Sequence, residues 1–498
     1  MRHYGAGRRR CAHEHRAGRC GRSRAHVSRD EARGCRWSFG VFGRPHALPG
    51  DRRSVVAHEG DARLTSLGPG RLAAFRIREL VERGRRLDVA LAEEVADLES
   101  RDRAFAHELS YGVTRLRGRI DRLLASCVHR SLESLDAKVL EVLRLGAYQI
   151  LYMGSVPTYA AVSESVDHAG ELAGKGASGL VNAVLRCVAD AGEGTDLFPD
   201  RGSALADYLA AWGSHPRWLI DRWLARWPAD EVEALVAANN ARPGLYLVPL
   251  ENSVSEALAH LAEVGIGGRE VGLGTDCVEL EPGSSPVAAL RALPQSIIQD
   301  PAAHLVSKYA DVPAGTKVAD LCAAPGGKAL AVAGRASFTI AADRSESRMR
   351  MIQENMDRTG RRLACVVADA RRPPITGADV VLLDVPCTGT GTFARHPDAR
   401  WRLRPSALPE LAGLQEELLT AAGRIVPPGG LLVYSTCALE PEENEERIDA
   451  FLAQNDEFHV EATGAVQARF VDDRGMLVVN PQETGFDGAF AARLRRNA

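Results

Sequence analysis

The 498-residue sequence has no run of about 18 apolar residues, and its N-terminus lacks the short apolar core of a secretory signal peptide. We therefore expect a cytoplasmic protein with no transmembrane helix and no membrane partner. The ten cysteines include no Cys-x-x-Cys pair and have no even spacing. A disulfide framework and a metal site are not expected, and any special cysteine is predicted to be reactive, not cross-linked.

Lysine is missing from residues 1–60, which hold 14 Arg and 5 acidic residues and carry a net charge of +9. The remainder of the chain is acidic, because the whole sequence has a net charge of −3. A basic arm on an acidic body is compatible with nucleic-acid binding. It is equally compatible with a disordered extension or with translated upstream sequence. We predict a disordered Arg-rich extension over 1–66 and assign it no function.

The overall composition is that of a globular protein, with 45% hydrophobic and 26% charged residues, which excludes wholesale disorder. The length predicts three or four domains of roughly 100–200 residues each. We expect the chain to be a monomer.

Helical periodicity begins near Gly70 and continues to about residue 190 without strand alternation. We predict an all-α bundle over 67–195. Three segments within it, in this order, resemble the helical domain of the NusB antitermination factor: 143–152 (LRLGAYQILY), 162–166 (VSESV) and 180–186 (LVNAVLR). The resemblance implies a domain that binds RNA or a ribonucleoprotein. Taken singly, each segment could equally be the packing face of a generic helix.

The part of the chain from 196 to 305 is predicted to contain linker helices and a small α+β subdomain. Residues 191–215 have little periodicity and are predicted to be a linker. A strand–helix–strand pattern between Leu245 and Leu280 is βαβ-like. Tryptophans at helical spacing precede it and are predicted to be core residues: Trp218, Trp223 and Trp227.

From Lys317 onward, strands alternate with helices, which is the pattern of a parallel sheet covered on both faces. We predict a doubly wound, Rossmann-like α/β domain over 306–498, with its ligand at the carboxyl ends of the strands. The predicted strands are 317–321, 338–342, 364–368, 378–384 and 431–435.

A glycine turn, with the sequence DLCAAPGGK over 320–328, connects the first of these strands to a helix. Glycines allow close approach of the backbone to a ligand, and the helix N-terminus presents free N–H groups. A phosphate-binding loop would have Ser or Thr after the lysine, but Ala329 stands there, which disfavours a triphosphate. Alone, the turn could be only a tight connection. The predicted cofactor-binding residues are Cys322, Ala323, Ala324, Pro325, Gly326, Gly327 and Lys328.

Acidic residues follow the next three strands, at Asp343, Asp369 and Asp384. Each could simply cap the helix after it. Acids repeated at one sheet edge, with Asp320 on the first strand, favour an adenosine-containing cofactor whose ribose hydroxyls and adenine edge are held by carboxylates. We therefore add these three residues to the predicted cofactor site.

Two cysteine motifs end the fourth and fifth predicted strands: DVPCTGTG at 384–391 and YSTCA at 434–438. Together with the glycine turn, they resemble the RNA 5-methylcytosine methyltransferases, in particular the bacterial 16S rRNA methyltransferase B type. The resemblance runs from about residue 70 to residue 498. It implies S-adenosyl-L-methionine as cofactor and RNA, namely small-subunit rRNA, as partner. Further matching segments are RHPDARW (395–401), PEENE (441–445) and GAF (488–490).

The resemblance also implies residue roles. Carbon-5 of cytosine is a poor nucleophile, and addition of a thiolate to carbon-6 makes it able to attack a sulfonium methyl group. By family correspondence, Cys437 is this nucleophile, Cys387 assists release of the carbon-5 proton and the thiol, and Asp384 hydrogen-bonds the polar edge of the ring. Lys328 is a candidate for the positive group that activates the thiol.

Most cysteines are simply small buried hydrophobes, and this alternative applies to both motif cysteines. We interpret Cys127, Cys187 and Cys277 in that way. The 395–401 segment is predicted to be a loop that faces RNA, with arginine for phosphate and tryptophan for stacking or support. A self-packed loop beside the active site is nearly as compatible with its sequence.

Two other functions remain open at this stage. The enzyme could methylate transfer RNA or DNA, and DNA cytosine-5 methyltransferases use the Pro-Cys cysteine, here Cys387, as nucleophile. The chain could also be a non-catalytic RNA-binding or antitermination factor. The intact glycine turn and the two cysteine motifs argue against this last alternative.

Overall fold

The computed structural model describes residues 67–498. The extension predicted over 1–66 lies outside the described residues. Within 67–498, no helix combines the length and the apolar character needed to cross a membrane. Over the same residues, no cluster of three or more His, Cys, Asp or Glu side chains is arranged to hold a metal ion.

The first part of the described chain is an all-α bundle, as predicted. Its helices bury apolar faces that include Leu109, Leu143 and Leu185. The Asp136 side chain caps the central helix by accepting a hydrogen bond from the Lys138 backbone N–H at 2.8 Å. The helices are α1 (Pro69–Glu82), α2 (Leu87–Glu94), α3 (Ser100–Arg115), α4 (Arg117–Cys127), α5 (Ala137–Tyr152), α6 (Thr158–Ala173) and α7 (Lys175–Ala191).

Buried charges connect three of these helices. Arg78 on α1 donates through Nε to Glu141 on α5 at 3.0 Å, and Arg144 donates through Nε to Asp121 on α4 at 2.7 Å. Burial by itself disfavours the ionised form of Glu141, but Arg78 and Arg144 outweigh it and lower its pKa to about 2. The bundle therefore contains a compensated ionic network in its interior.

The bundle also contains a disulfide between Cys127, at the end of α4, and Cys187 on α7. The predictions that these cysteines are unpaired and that no cross-link occurs are wrong. The two residues are 60 positions apart, but the helix packing brings their Cα atoms to 5.8 Å, which is within bonding reach.

A second helical group follows, where the sequence predicted a linker to residue 215. The linker prediction is wrong in part, because the segment contains α8. The group packs on the later part of the chain, since Trp223 shares an apolar cluster with Phe393 and Leu439. Its helices are α8 (Leu205–Ala211), α9 (Arg217–Arg226) and α10 (Ala229–Asn240).

The small subdomain is a four-stranded antiparallel sheet in the order β2-β3-β1-β4, with two helices. The βαβ-like prediction is wrong, because β1 and β3 are adjacent and antiparallel. A further short strand, β2, has mostly exposed residues and no apolar alternation that a sequence pattern could reveal. The elements are β1 (Leu245–Pro249), α11 (Val254–Glu263), β2 (Gly268–Glu270), β3 (Val278–Leu280), α12 (Pro286–Ala292) and β4 (Ser296–Ile298).

The last part is the α/β domain that the sequence predicts. Its sheet has the order β10-β12-β9-β8-β5-β6-β7, with β11 on β12, and β5 to β9 are mutually parallel. Helices cover the buried central strands. The elements are α13 (Pro301–Tyr309), β5 (Lys317–Asp320), α14 (Gly327–Ala333), β6 (Phe338–Asp343), α15 (Glu346–Thr359), β7 (Ala364–Val367), β8 (Val380–Asp384), α16 (Ala399–Arg402), α17 (Ala407–Ile425), β9 (Leu431–Thr436), α18 (Glu445–Gln454), β10 (Phe458–Val460), β11 (Leu477–Val479), α19 (Pro481–Thr484) and β12 (Ala489–Arg496).

Candidate active site

The carboxyl ends of three parallel strands meet at one edge of the large sheet. Strand β8 lies between β5 and β9, with Leu382 beside Asp320 and Asp384 beside Ser435. The glycine turn after β5 and the cysteine loops after β8 and β9 therefore open on the same side. This edge is where an open α/β sheet binds its ligand.

The two motif cysteines come together here. Cys387 lies three residues beyond β8, and Cys437 directly follows β9. Their Sγ atoms are 3.2 Å apart, and both residues are half-buried. At this distance one thiol can donate its hydrogen to the other sulfur. The neighbouring Cys437 sulfur and burial together raise the pKa of Cys387 well above the usual thiol range.

A lysine and an aspartate face each other beside the sulfurs. Lys328 Nζ is 2.8 Å from one oxygen of Asp384, and the Ser435 hydroxyl donates to the other oxygen at 2.8 Å. Burial alone would disfavour the ammonium form, but Asp384, Asp320 and the Cys437 sulfur raise the pKa of Lys328. The site thus contains a fixed positive charge that interacts with both the carboxylate and the sulfur.

The glycine turn has the backbone features that a close ligand contact requires. Gly326, with φ at +102°, precedes α14 in the left-handed region, which disfavours any residue with a Cβ atom. A Cβ atom on Gly327 would lie 2.7 Å from Gln299 Nε2. The Asp343 carboxylate accepts from the backbone N–H groups of Ala324, at 3.3 Å, and Ser345, at 2.9 Å. This carboxylate therefore holds the turn in place.

The predicted cofactor acids differ in their surroundings. Asp343 is buried against the turn, and Asp384 faces Lys328. Asp369 lies two residues beyond β7, and its hydrogen bonds from Arg371 lower its pKa to about 2. Asp320, on β5, is buried, and one of its carboxylate oxygens has no hydrogen-bond partner. Burial and the nearby Asp384 raise the pKa of Asp320 to about 7.

Sequence reasoning missed two residues that hold the cysteine loops. Glu443 is buried, and it accepts hydrogen bonds from the backbone N–H of Thr388, at 2.9 Å, and from the Thr388 hydroxyl. Asn444 accepts from the Thr436 hydroxyl at 2.6 Å and donates to the Ala438 carbonyl at 2.9 Å. The available signal was the PEENE segment, which matched the family but suggested no role.

Backbone contacts join the two cysteine loops to the start of β12. The Gly391 N–H donates to the Cys437 carbonyl at 3.0 Å, and the Gly488 N–H donates to the Gly391 carbonyl at 2.7 Å. A Cβ atom on Gly391 would lie 2.6 Å from Gly488 Cα. Only glycine allows the backbone to approach this closely, and the contact holds the backbone of Cys437 in place.

The 395–401 segment packs inward, so the prediction that it faces RNA is wrong and the self-packed alternative is correct. Arg395 makes ion pairs with Asp300, at 2.6 Å, and Asp487, at 3.0 Å. Arg400 is fully buried and donates to backbone carbonyls of the α8–α10 group. Trp401 Nε1 donates to the Thr114 carbonyl of the bundle at 2.8 Å. These groups use their donors on protein carbonyls and carboxylates.

Three family descriptions match successive parts of the chain. Residues 70–190 match the NusB family, and residues 215–287 match the ferredoxin-like domain of RsmF/B-like methyltransferases. Residues 311–495 match the 16S rRNA methyltransferase RsmB/F family. These matches confirm the predicted NusB-like bundle and the methyltransferase domain.

Individual relatives extend over nearly the whole described chain. Ribosomal RNA small subunit methyltransferase B of Cronobacter sakazakii is 34% identical over 437 residues, which cover 85% of this chain and 97% of that protein. The protein of the same name from Pseudomonas putida is 34% identical and covers 85% and 98%. The crystal structure of PH0851 has a TM-score of 0.71 at 25% identity and covers 86% of this chain and 99% of that one.

Proposed function

The chain belongs to the RsmB/F family of ribosomal RNA small subunit methyltransferases, and from this premise we propose that it methylates carbon-5 of a cytosine in 16S rRNA through a covalent adduct on Cys437. The observation that supports this most directly is the 3.2 Å separation of the Cys437 and Cys387 sulfurs at the ligand-binding edge of the sheet. Its rRNA substrate would place the protein in the cytoplasm.

The residues around the glycine turn fit S-adenosylmethionine. The turn formed by 322–328 offers backbone at close range, and Asp320 keeps one buried carboxylate oxygen without a hydrogen-bond partner, suited to the amino group of such a ligand. We propose that this turn, with Asp343, Asp369 and Asp384, holds the cofactor. When bound, S-adenosylmethionine supplies an electrophilic methyl group.

The raised pKa of Cys387 and the ammonium group of Lys328 together determine which of the two sulfurs reacts. Because Cys387 has a raised pKa, it remains a protonated thiol and donates toward Cys437. Cys437, beside the Lys328 ammonium, is the sulfur that reacts as a thiolate. It adds to carbon-6 of a cytosine that has left its base stack. The electron pair of the carbon-5–carbon-6 double bond shifts to the carbon-4–carbon-5 bond as N3 takes up a proton, which makes carbon-5 nucleophilic.

Asp384 and Cys387 then act on the substrate ring. Asp384 accepts a hydrogen bond from the polar edge of the cytosine and favours protonation at N3, which stabilises the adduct. Once Cys437 is bonded to carbon, it no longer places a negative charge beside Cys387, and the Cys387 thiol can release its proton to solvent water. After methyl transfer, the Cys387 thiolate takes the carbon-5 proton, the double bond forms again, and Cys437 leaves as a thiolate.

Serine substitutions test these assignments. We expect Cys437→Ser to reduce methylation of a 16S rRNA transcript by on the order of 10³-fold or more, because the covalent step is lost. We expect Cys387→Ser to accumulate a protein–RNA adduct that survives denaturing electrophoresis. Cys365→Ser, at an exposed free cysteine, is the control. If Cys387→Ser alone prevents adduct formation, the roles are reversed and the arrangement is that of DNA cytosine-5 methyltransferases.

Two further measurements address the cofactor and the target. Calorimetry with the full chain should detect binding of S-adenosylmethionine, and its absence would favour a non-catalytic RNA-binding factor. Bisulfite sequencing of small-subunit rRNA from a deletion strain should identify one cytosine that loses its methyl group.

A further inference from the structure

Two consecutive buried residues hold different cysteine loops. The Glu443 carboxylate accepts both hydrogen bonds of Thr388, the residue directly after Cys387. The Asn444 side chain bonds to Thr436 and Ala438, the two residues that flank Cys437. Glu443, which holds the Cys387 loop, and Asn444, which holds the Cys437 loop, are therefore joined by a single peptide bond.

This Glu443–Asn444 dipeptide is itself fixed by its neighbours. The Tyr434 hydroxyl, on β9, donates to the Glu443 carbonyl at 2.7 Å. Gln415, on α17, donates through Nε2 to a Glu443 carboxylate oxygen at 2.9 Å and to the Pro386 carbonyl at 3.0 Å. Both dipeptide side chains are at most 4% exposed, so water has little access to replace these hydrogen bonds.

We propose that Glu443 and Asn444 are positioning residues for the reaction assigned above, on whose roles for Cys437 and Cys387 this inference rests. Asn444 fixes the nucleophile, Glu443 fixes the cysteine that releases the product, and their adjacency sets the distance between the two sulfurs. Neither residue contacts the substrate.

The two anchors act on different steps. Loss of the Asn444 side chain frees both neighbours of Cys437 and slows adduct formation. Loss of the Glu443 side chain frees the Cys387 loop, so the adduct forms but its release is slow. A purely structural role would weaken both steps together, and this difference separates the two interpretations.

The first experiment measures sulfur placement without RNA. Diamide oxidises two adjacent thiols to a disulfide by accepting their two electrons and two protons. In the full chain, Cys387 and Cys437 should cross-link readily, as detected by mass spectrometry. We expect Glu443→Ala and Asn444→Ala to slow this cross-link by about ten-fold, the equivalent of one hydrogen bond.

Matched variants control for charge and for folding. Glu443→Gln should restore the rapid cross-link, because an amide can accept from the Thr388 N–H and donate to the Thr388 hydroxyl. Glu446→Gln, at an exposed acid of the same segment, and Asn455→Ala, at the end of α18, should cross-link at the wild-type rate. Melting temperatures of all variants show whether each one folds.

The second experiment separates the catalytic steps. With a 16S rRNA transcript containing 5-fluorocytidine, which traps the adduct, Asn444→Ala should slow adduct formation by up to about 10²-fold. Glu443→Ala should form this adduct at close to the wild-type rate. With ordinary transcript, Glu443→Ala should instead accumulate adduct, and Glu443→Gln should not.

The outcomes distinguish two failures. If the wild-type chain forms no adduct on the fluorinated transcript, the proposed function fails, while the diamide result still tests the placement. The positioning roles are wrong if the wild type forms the adduct but both alanine variants cross-link and react at wild-type rates. They are also wrong if each alanine variant slows adduct formation and adduct release equally.

Discussion

The chain brings cysteines together in two places, and the two places differ in the groups that surround the sulfurs. The bundle pair, Cys127 and Cys187, lies on two helices and is joined by a disulfide. The cleft pair, Cys387 and Cys437, lies on two loops with its sulfurs free and 3.2 Å apart. Proximity is common to both pairs, so it does not by itself indicate chemistry.

The surroundings of the two pairs differ. The Lys328 ammonium interacts electrostatically with Cys437 of the cleft pair, and buried carboxylate and amide groups hold the loops of that pair. Each cleft cysteine also follows a strand at the edge where ligands bind. The bundle pair instead connects helix surfaces, where it limits the freedom of the chain. The bundle pair is a structural cross-link, and the cleft pair is the one for which we propose a catalytic role.

The largest expected effect concerns the bundle pair. Cys127→Ser removes a cross-link across 60 residues of chain, and the loop-closure entropy regained by the unfolded state should lower the free energy of unfolding by about 4 kcal/mol. Guanidinium denaturation measures this, and methylation at a permissive temperature should be unchanged. A loss of activity without a loss of stability would break the comparison.

A smaller effect is expected from the backbone behind the cleft pair. In Gly391→Ala, the added Cβ would lie 2.6 Å from Gly488 Cα and 2.8 Å from the Cys437 carbonyl oxygen. The loop that carries Cys437 must move, and if Cys437 is the nucleophile that we propose, kcat should fall by about 10²-fold. Gly413→Ala is the matched control, because its Cβ meets nothing within 4 Å. Wild-type kcat for Gly391→Ala would contradict the close packing assigned to this contact.

The effect that changes least per step is the pH dependence of stability, which has opposite signs in the two regions. Asp320, at the end of β5, has its pKa raised to about 7. Between about pH 4 and 7 the folded state binds the extra proton, so stability falls as pH rises, by at most about 1.4 kcal/mol per unit. Glu141 in the bundle has a lowered pKa, and its contribution is present above the unfolded pKa and lost toward pH 2.

Asp320→Asn should remove the first effect. Unfolding free energies at pH 5 and pH 7 should differ less for the variant than for the wild type, and the gain in stability should be larger at pH 7. An identical pH dependence for the two proteins would show that Asp320 is already ionised in the folded state at pH 5.

The sequence was most informative where an apolar strand leads directly into a motif that suggests chemistry. The apolar run before Asp384 predicted a buried strand, and the observed β8 ends at that residue. The strand predicted over 431–435 is observed as β9, one residue longer. The cysteines were found because each lies at or shortly after the end of such a strand, within a motif that resembles the methyltransferase family.

The sequence was least informative about contacts between distant segments. The disulfide depends on helix packing across 60 residues, and no local pattern encodes it. Arg400 was assigned to RNA because it lies in the loop after the fourth predicted strand and because arginine is suited to phosphate. It is buried because carbonyl groups at helix ends accept its donors. Glu443 could be recognised as an anchor only once the loop that carries Thr388 was folded against it.

The burial of Arg400 has a consequence for dissecting the molecule. The sequence suggests a cut near residue 306, but a recombinant fragment starting there would lose the Ser214 and Asn239 carbonyls that accept from this guanidinium. The same cut would remove the helices that cover this guanidinium, and the apolar side chains of Phe393 and Leu439 that pack on Trp223 would be exposed to water. The methyltransferase domain should therefore not be expressed or transferred to another protein without these helices. Chimeras that retarget it to other RNAs should retain α8 to α10 and also the bundle carbonyl of Thr114 that accepts from Trp401.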